Sequence, residues 1–267
     1  MRTQSPDVKP RFIGVLHLLP LPGGPHPSPG LNACVERAVQ DAKTLVAGGA
    51  DAAILENFGD APFTAARVEA CTVAYMTRVA LAVRSACPSL DLGINVLRND
   101  ARSALAIAAA VGASFIRVNV LVGTMVTDQG LITGEARALL MERQRIAPNV
   151  RIWADILVKH AVPLGPQDLI QVAKDSLHRG GADAIIVTGT GTGQPIDPKT
   201  VDRLRSELPE CHLVAGSGVV PDNIPPAVDS AIVGTCLHEE SDISRPLCVG
   251  RVQTMRRALD QAANNVS

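Results

Sequence analysis

The most constraining feature of this sequence is a unit of strand, polar turn, helix and glycine that recurs along the chain. In one clear copy, residues 92–96 form a short apolar run, Asn99 or Asp100 can cap a helix over residues 101–111, and Gly112 ends it. Short apolar runs bounded by turns are typical of buried parallel strands. Their alternation with helices predicts an α/β fold in which helices cover a parallel sheet.

Eight such strands are predicted along the chain. They are residues 12–16, 51–55, 92–96, 115–120, 150–156, 183–187, 212–215 and 230–233. The predicted helices are residues 32–47, 63–86, 101–111, 135–145, 166–178, 198–208 and 246–262. Eight strands at about 33 residues per unit favour a single closed (β/α)8 barrel of the TIM type over an open sheet.

The domain organisation follows from this count. We predict one barrel domain over residues 11–267, preceded by a flexible N-terminal segment at residues 1–10. Residues 121–134 contain Gly123, Gly130 and Gly134, and we predict that they form a long loop and interpret it as a mobile lid.

Composition excludes several classes of function. Lys and Arg number 25 against 26 Asp and Glu, and aromatic residues make up 2% of the chain, which together argue against nucleic acid and anionic membranes as partners. No stretch approaches the roughly 18 continuous apolar residues of a membrane span. The six cysteines lack the spacing of a metal or disulfide framework, as in a reducing compartment. We therefore expect a cytoplasmic protein without an integral membrane segment, and a homo-oligomer is compatible with the sequence.

Polar side chains concentrate where the predicted strands end. These residues are His17, Glu56, Asn95, Asn119, Asp155, Lys159, His160 and Thr188. In barrels of this type the carboxyl ends of the strands form the face that carries the active site. The distribution therefore predicts a site at that face.

Glu56 and Asp155 are predicted to be an acid/base pair, one kept protonated by apolar surroundings while the other is ionised. The alternative is that a basic residue holds a buried carboxylate for structural reasons. The candidates for that role are Lys159, Arg98 and Arg117.

His17 and His160 are predicted to be further general acid/base groups. With Glu56 and Asp155 they would also make a mixed nitrogen and oxygen site for a divalent metal, although their spacing matches no local metal motif. We therefore predict no metal ligands and no cofactor, and keep a divalent metal as an alternative. Lys159 is a catalytic candidate through a Schiff base, the alternative being a solvated or ion-paired lysine.

A further set of polar residues is predicted to bind and orient the substrate. These residues are Asn95, Arg98, Arg117, Asn119, Asp128 and Thr188.

The sharpest signal is glycine with a hydroxyl residue after each of the last two strands. The residues are Gly216, Ser217 and Gly218 after strand seven, and Gly234 and Thr235 after strand eight. Glycines let backbone N–H groups approach an anion, and these two loops are the usual phosphate site of the fold. The alternative is that the glycines only make tight turns. The predicted partner is a small phosphorylated molecule.

Several of these strings resemble the BtpA/SgcQ family. They are Gly-Val-Leu-His-Leu-Leu-Pro-Leu-Pro-Gly at 14–23, Ile-Leu-Glu-Asn-Phe-Gly-Asp-Ala-Pro-Phe at 54–63, Gly-Ile-Asn-Val-Leu-Arg-Asn-Asp at 93–100, Phe-Ile-Arg-Val-Asn-Val at 115–120, Thr-Asp-Gln-Gly at 127–130, Asp-Ile-Leu-Val-Lys-His at 155–160 and Thr-Gly at 188–189. The resemblance implies a barrel similar to the ribulose-phosphate-binding barrels, and it carries over Asp155, Lys159 and His160 as a group. The family takes its name from a role in photosystem I biogenesis or stability.

These observations predict an enzyme that acts on a small, sugar-phosphate-like metabolite by proton transfer, of the isomerase, epimerase or lyase type. One alternative is a non-catalytic assembly or stability factor for photosystem I or another membrane complex. Such a factor would present an exposed apolar patch, of which the composition gives no sign. A further alternative is a metal- or nucleotide-dependent hydrolase that uses the same face.

Overall fold

Eight parallel strands close into a barrel in the computed structural model, which describes residues 11–156, 161–189 and 196–264. In chain order all the strands of the described residues are β1 (Phe12–His17), β2 (Ala52–Glu56), β3 (Asp91–Asn95), β4 (Phe115–Val118), β5 (Thr124–Thr127), β6 (Gly130–Thr133), β7 (Arg151–Asp155), β8 (Ala161–Pro163), β9 (Ala184–Val187), β10 (Leu213–Ala215) and β11 (Ser230–Val233). Three of them, β5, β6 and β8, form a separate small sheet. The barrel order is β1–β2–β3–β4–β7–β9–β10–β11, and β11 pairs with β1 to close it. The predicted fold class is confirmed.

Helices surround this barrel. They are α1 (Leu31–Gly48), α2 (Ala70–Ala86), α3 (Ala101–Val111), α4 (Ala136–Ile146), α5 (Leu169–Lys174), α6 (Pro198–Glu207) and α7 (Val249–Asn264). Asp100 caps α3 by accepting a hydrogen bond from the backbone N–H of Ser103 at 3.0 Å, and Gly112 ends the helix in the left-handed conformation. None of the helices within the described ranges is both long and apolar enough to span a membrane.

The inside of the barrel is a packed core, distinct from the core between the strands and the helices. It is made by Ile13, Val15, Ala52, Ile54, Phe115, Trp153, Ala184, Ile186, Val214 and Ile232. The rings of Phe115 and Trp153 stack with their centroids 4.0 Å apart. A Cβ at Gly93 would collide with the Phe115 ring, so this inward position of β3 accepts only glycine.

Period-two alternation carries polar side chains to the mouth of the barrel. His17 pairs in register with Glu56 across β1 and β2, and Glu56 pairs with Asn95 of β3. His17 and Glu56 lie two residues beyond the interior side chains of Val15 and Ile54, so they point to the same side of their strands, above the apolar core. The strand period therefore places neighbouring polar groups on one face.

The prediction of a loop over residues 121–134 was wrong. β5 and β6 form an antiparallel hairpin with a two-residue turn at Asp128 and Gln129, and β8 pairs with the other edge of β5. Met125 and Ile132 are buried beneath the small sheet. The glycines were interpreted as loop signals, whereas Gly130, with a φ of 100°, ends a tight hairpin turn.

The largest differences in helix boundaries from the prediction are at the starts of the second, fifth and last helices, and the last begins at Val249 instead of residue 246. The second helix begins at Ala70 instead of residue 63, because the preceding segment runs over the barrel mouth, where Asp100 Oδ2 accepts a hydrogen bond from the Val68 N–H at 3.0 Å. The fifth begins at Leu169 instead of residue 166 and continues as a π-helical turn over Asp175–Arg179. At the start of the second helix a tertiary contact therefore outweighs local helix propensity.

Candidate active site

The carboxyl ends of the barrel strands enclose a cavity of about 400 Å³. Pockets for small molecules measure roughly 300–1,000 Å³, so a metabolite of modest size fits. The predicted residues that line it are His17, Glu56, Asn95, Arg98, Arg117, Asn119, Asp155, Thr188, Gly216, Ser217, Gly218, Gly234 and Thr235. Asp128 lies in the hairpin turn and is not part of this lining. Lys159 and His160 lie outside the described residues.

Arg117 connects the two carboxylates that were predicted to be an acid/base pair. Its Nε and Nη2 donate to the carboxylate of Asp155 at 3.0 and 3.1 Å, and its Nη1 donates to Oε1 of Glu56 at 3.3 Å. The planar guanidinium suits such paired contacts. All three side chains are at most 11% exposed. One buried cation therefore bridges the two acids.

Two asparagines complete this cluster. Nδ2 of Asn95 donates to Oε1 of Glu56 at 2.9 Å, and Nδ2 of Asn119 donates to Oδ2 of Asp155 at 2.6 Å. Oδ1 of Asn119 is buried and accepts no hydrogen bond from any described residue. A buried acceptor without a partner costs free energy, so this oxygen is suited to accept a hydroxyl or N–H group of a ligand.

Burial and charge act in opposite directions on the ionisation of this cluster. Burial alone lowers the pKa of Arg117, but the charges and hydrogen bonds of Asp155 and Glu56 outweigh it and raise the pKa above its ordinary value. Burial raises the pKa of Asp155, while Arg117 and Asn119 oppose that rise by stabilising its ionised form. Arg117 therefore stays cationic, and its charge is what makes an ionised Asp155 tolerable.

The two carboxylates differ in what remains open to a ligand. Both oxygens of Asp155 accept hydrogen bonds from Arg117, and Oδ2 also accepts one from Asn119. The contacts of Glu56 with described residues all go to Oε1, which leaves Oε2 without a donor. The geometry therefore favours Glu56 as the carboxylate that exchanges a proton with a ligand, and Asp155 as the group that orients Arg117.

His238, which sequence reasoning missed, determines the protonation of His17. Nδ1 of His238 lies 2.7 Å from the carbonyl oxygen of Arg245 and must donate to it. Its Nε2 is then the acceptor in the neutral ring, and it lies 3.0 Å from Nδ1 of His17. This hydrogen-bond chain assigns the proton of neutral His17 to Nδ1 and the lone pair to Nε2. No local pattern marks His238, which lies between two 3-10 turns after β11.

Because His238 is fully buried, its pKa lies below the ordinary value, and we expect a measurable effect on stability. Below about pH 6.5, the ordinary histidine value, the unfolded chain binds a proton that the folded chain does not. The free energy of unfolding should therefore fall as the pH is lowered through this range, by at most about 1.4 kcal/mol per pH unit for this group. Urea unfolding between pH 7.5 and 5.5 should show a shallower dependence for His238→Gln than for the wild type. If the free energies of unfolding of His238→Gln and the wild type depended on pH in the same way, the lowered pKa of His238 would be contradicted.

The loops after β10 and β11 form the opposite wall of the cavity. Oγ of Ser217 is buried and has no hydrogen-bond partner among the described residues. The backbone N–H groups of Ser217, Gly218 and Thr235 likewise donate to no atom in the described part of the chain. Open N–H groups of adjacent residues form concave sites that bind anions. This wall therefore has the donors that a phosphate group needs.

The glycines of this wall serve packing as well as access. A Cβ at Gly216 would collide with the side chain of Ile186 inside the barrel. Gly218 has a φ of 66°, and Nδ2 of Asn223 donates to its carbonyl oxygen at 2.8 Å. Oδ1 of Asn223 accepts from the N–H of Val220 at 2.8 Å, which fixes the loop. Asn223 was also missed, since nothing local in the sequence marks it as a brace.

Arg98 and Asp128 are coupled by charge. Burial lowers the pKa of Arg98, and the negative charges of Asp155 and Asp128 oppose that effect. The hairpin turn that carries Asp128 therefore lies within electrostatic reach of the cavity through Arg98, although it does not line the cavity itself.

The alternative metal site would have used His17, His160, Glu56 and Asp155. Within the described ranges, no three His, Cys, Asp or Glu side chains lie close enough together to hold a metal ion. His160 lies outside those ranges.

Comparison with known families and proteins gives consistent matches over most of the chain. The model of the BtpA family matches residues 8–261. The photosystem I biogenesis protein BtpA of Synechocystis is 44% identical over 250 residues, which cover 92% of this chain and 87% of that protein. An uncharacterized protein of Thermococcus kodakarensis is 42% identical over 249 residues, 91% of this chain and 93% of that protein.

Solved structures share the fold at low sequence identity. Phosphoribosyl anthranilate isomerase from Thermus thermophilus matches with a TM-score of 0.57 and 12% identity, over 94% of this chain and 98% of that one. The tryptophan synthase α chain from Legionella pneumophila matches with a TM-score of 0.58 and 13% identity, over 96% of this chain and 93% of that one. At such identities the likeness shows the fold alone.

Proposed function

This chain belongs to the BtpA family, and from that premise and the geometry of the barrel mouth we propose that it is an enzyme that acts on a small phosphorylated metabolite by proton transfer. The reaction class is isomerisation, epimerisation or a lyase-type step. The main support for the proposal is that two groups of atoms with complementary roles line the same cavity. Open hydrogen-bond donors lie at Ser217 and Gly218, and an open carboxylate oxygen lies at Glu56.

The donors support binding of the phosphate group. The hydroxyl of Ser217 and the N–H groups of Ser217, Gly218 and Thr235 would donate to its oxygens. Gly216 and Gly234 allow these loops to pack closely on Ile186 and His17. Phosphate held by the loops after the last two strands is common in this fold. Phosphoribosyl anthranilate isomerase, which has the same fold, is by its name an isomerase of a phosphoribosyl compound.

The polar floor of the cavity supports proton transfer. Oε2 of Glu56 and Nε2 of His17, on neighbouring strands, would each accept a proton from the substrate and return it. Oδ1 of Asn119 would accept a hydrogen bond from a substrate hydroxyl, and Arg117, oriented by Asp155, would stabilise negative charge that develops on the substrate. Lys159 and His160 stay predicted contributors to this face.

Thermal unfolding against ligands tests the phosphate wall. A ligand at about 100 times its Kd stabilises the folded state by roughly 2.7 kcal/mol, enough to raise Tm by several degrees. We expect ribose 5-phosphate to raise Tm more than ribose. Ser217→Ala should weaken binding of ribose 5-phosphate about tenfold or more, because a hydrogen bond to a charged group contributes roughly 1.5–3 kcal/mol.

Folding should be unaffected by Ser217→Ala, since its hydroxyl bonds to no described residue. Ser206→Ala, at an exposed position of α6, is the matched control. Gly216 is unsuitable for this test, since any side chain there would disturb the barrel core. If Ser217→Ala and the wild type bound ribose 5-phosphate with equal affinity, phosphate binding by the loops after β10 and β11 would be contradicted. Incubation of bound sugar phosphates in D₂O then tests the chemistry, since proton transfer at carbon exchanges C–H for C–D.

One observation favours the assembly-factor alternative. Val126 pairs in register with Leu131 on one side and Val162 on the other, which forms a row of apolar side chains that are 43%, 59% and 67% exposed. Composition gave no sign of such a surface, because the residues come from three separate segments. A relative bears the name photosystem I biogenesis protein. Failure of every phosphate ester to bind, with a protein partner that is lost in Leu131→Asp, would favour this second function.

A further inference from the structure

Two phenylalanines at the mouth of the cavity are less buried than Phe12, Phe115 and Trp153, and Tyr75, which is also partly exposed, does not line the cavity. The chain has four Phe, one Tyr and one Trp. Phe12, Phe115 and Trp153 are fully buried. Phe58 is 38% exposed, Phe63 is partly exposed, and both line the cavity. Because the chain has so few aromatic residues, the exposure of two of them at the rim of the cavity gives up apolar burial that would stabilise the fold.

These two rings form a defined aromatic wall with His17. The centroids of Phe58 and Phe63 are 6.3 Å apart at an interplanar angle of 67°. The rings of His17 and Phe58 are 5.0 Å apart at 68°. Edge-to-face geometry of this kind is the preferred one for aromatic pairs. Leu97 and Val219 extend the apolar lining.

The wall is held in place by the turn after β2. Asn57 Nδ2 donates to Asp60 Oδ2 at 3.2 Å, and Oδ1 of Asn57 accepts from the N–H of Leu97 at 2.8 Å. A Cβ at Gly59 would collide with the backbone at Pro20, so the turn packs directly on the neighbouring loop. Phe58 therefore sits on a braced turn, which presents its ring to the cavity.

We propose that the substrate carries an aromatic or heteroaromatic ring in addition to its phosphate, and that this ring stacks against Phe58 and Phe63. The proposal rests on the proposed function, because the phosphate end is taken to lie at Ser217. Phe58 and Phe63 follow β2, whereas the phosphate donors follow β10 and β11, with β1 between them. The polar floor beneath would then face the part of the substrate between its ring and its phosphate.

Titration calorimetry with matched ligands tests this inference. Ribose 5-phosphate is compared with AMP, UMP and pyridoxine 5′-phosphate, which add a purine, a pyrimidine and a pyridine ring. Stacking of one base on an aromatic side chain corresponds to about a tenfold gain in affinity or more. We expect at least one ring-bearing ester to bind wild type about tenfold more tightly than ribose 5-phosphate.

The variant Phe58→Leu/Phe63→Leu keeps apolar bulk and removes both rings from partly exposed positions. It should lose most of the tenfold advantage and bind ribose 5-phosphate as the wild type does. Leu131→Val, on the exposed face of the small sheet, is the control and should keep the advantage. Circular dichroism confirms that each variant is folded.

Three results would overturn the inference, and they are distinguishable. If ribose 5-phosphate binds in a Ser217-dependent way and every ring-bearing ester binds within twofold of it, the aromatic subsite is rejected while the proposed function stands. The same holds if the double Leu variant keeps the full ring advantage. If no phosphate ester binds at all, both the proposed function and the inference fall.

Discussion

Replacement of Arg117 with Met is expected to lower the free energy of unfolding by about 3–5 kcal/mol, the usual cost of removing one partner from a buried ion pair. The guanidinium bridges Glu56 and Asp155, and both carboxylates are at most 8% exposed. Without it they would be two buried negative charges near each other. Urea unfolding of wild type and variant at pH 7.5 measures the difference.

An exposed ion pair provides the control for this variant. Arg203 and Asp168 lie 3.1 Å apart with side chains 60% and 53% exposed, so Arg203→Met should change stability by less than about 1 kcal/mol. A comparably small effect of Arg117→Met would mean that solvent in the cavity compensates the carboxylates. Adding Glu56→Gln and Asp155→Asn to the Arg117 variant should recover part of the loss, because it removes the uncompensated charges.

The destabilisation by Arg117→Met should also depend on pH in a defined direction. Burial already raises the pKa of Asp155 in the wild type, and loss of Arg117 removes the cation that opposes this rise. Above the unfolded value of about 3.9, the folded variant then binds more protons than the unfolded chain. Its stability should therefore fall as pH rises through that window. The difference in the free energy of unfolding between Arg117→Met and the wild type should therefore be smaller at pH 5 than at pH 8.

Replacement of Glu56 with Gln is expected to lower the rate of proton transfer by about 10²–10⁴-fold, the usual contribution of a general acid or base. The amide keeps the shape of the side chain, and its oxygen can still accept the hydrogen bonds of Asn95 and Arg117. Binding of a phosphorylated ligand should therefore change far less than turnover. Deuterium incorporation into the ligand, followed by NMR in D₂O, measures the rate.

Glu207→Gln is the matched control for this substitution. Glu207 forms an exposed ion pair with Lys174 at 3.0 Å, away from the cavity lining. Its variant should exchange deuterium at the wild-type rate. If Glu56→Gln did so as well, proton transfer by this carboxylate would be ruled out, and Asp155 or a histidine would have to act instead.

Much of the fold was predictable because it rests on local periodicity. The apolar runs, the cap at Asp100 and the glycine at 112 are each local signals, and they gave all eight barrel strands in the right order. The hairpin of β5 and β6 was not predicted, because glycine is common in loops and in tight turns alike. The exposed row at Val126, Leu131 and Val162 was missed for a related reason, since only strand pairing unites those residues.

The sequence by itself determined which polar residues come to the carboxyl ends of the strands, because a period of two fixes the side of each strand on which a side chain lies. Only the tertiary structure decided how they pair. Arg117 bridges Glu56 and Asp155, and His17 contacts His238 across 221 positions of sequence. Closure of the barrel brings the first and last strands together, and a contact that depends on closure and on side-chain rotamers leaves no local trace in the sequence.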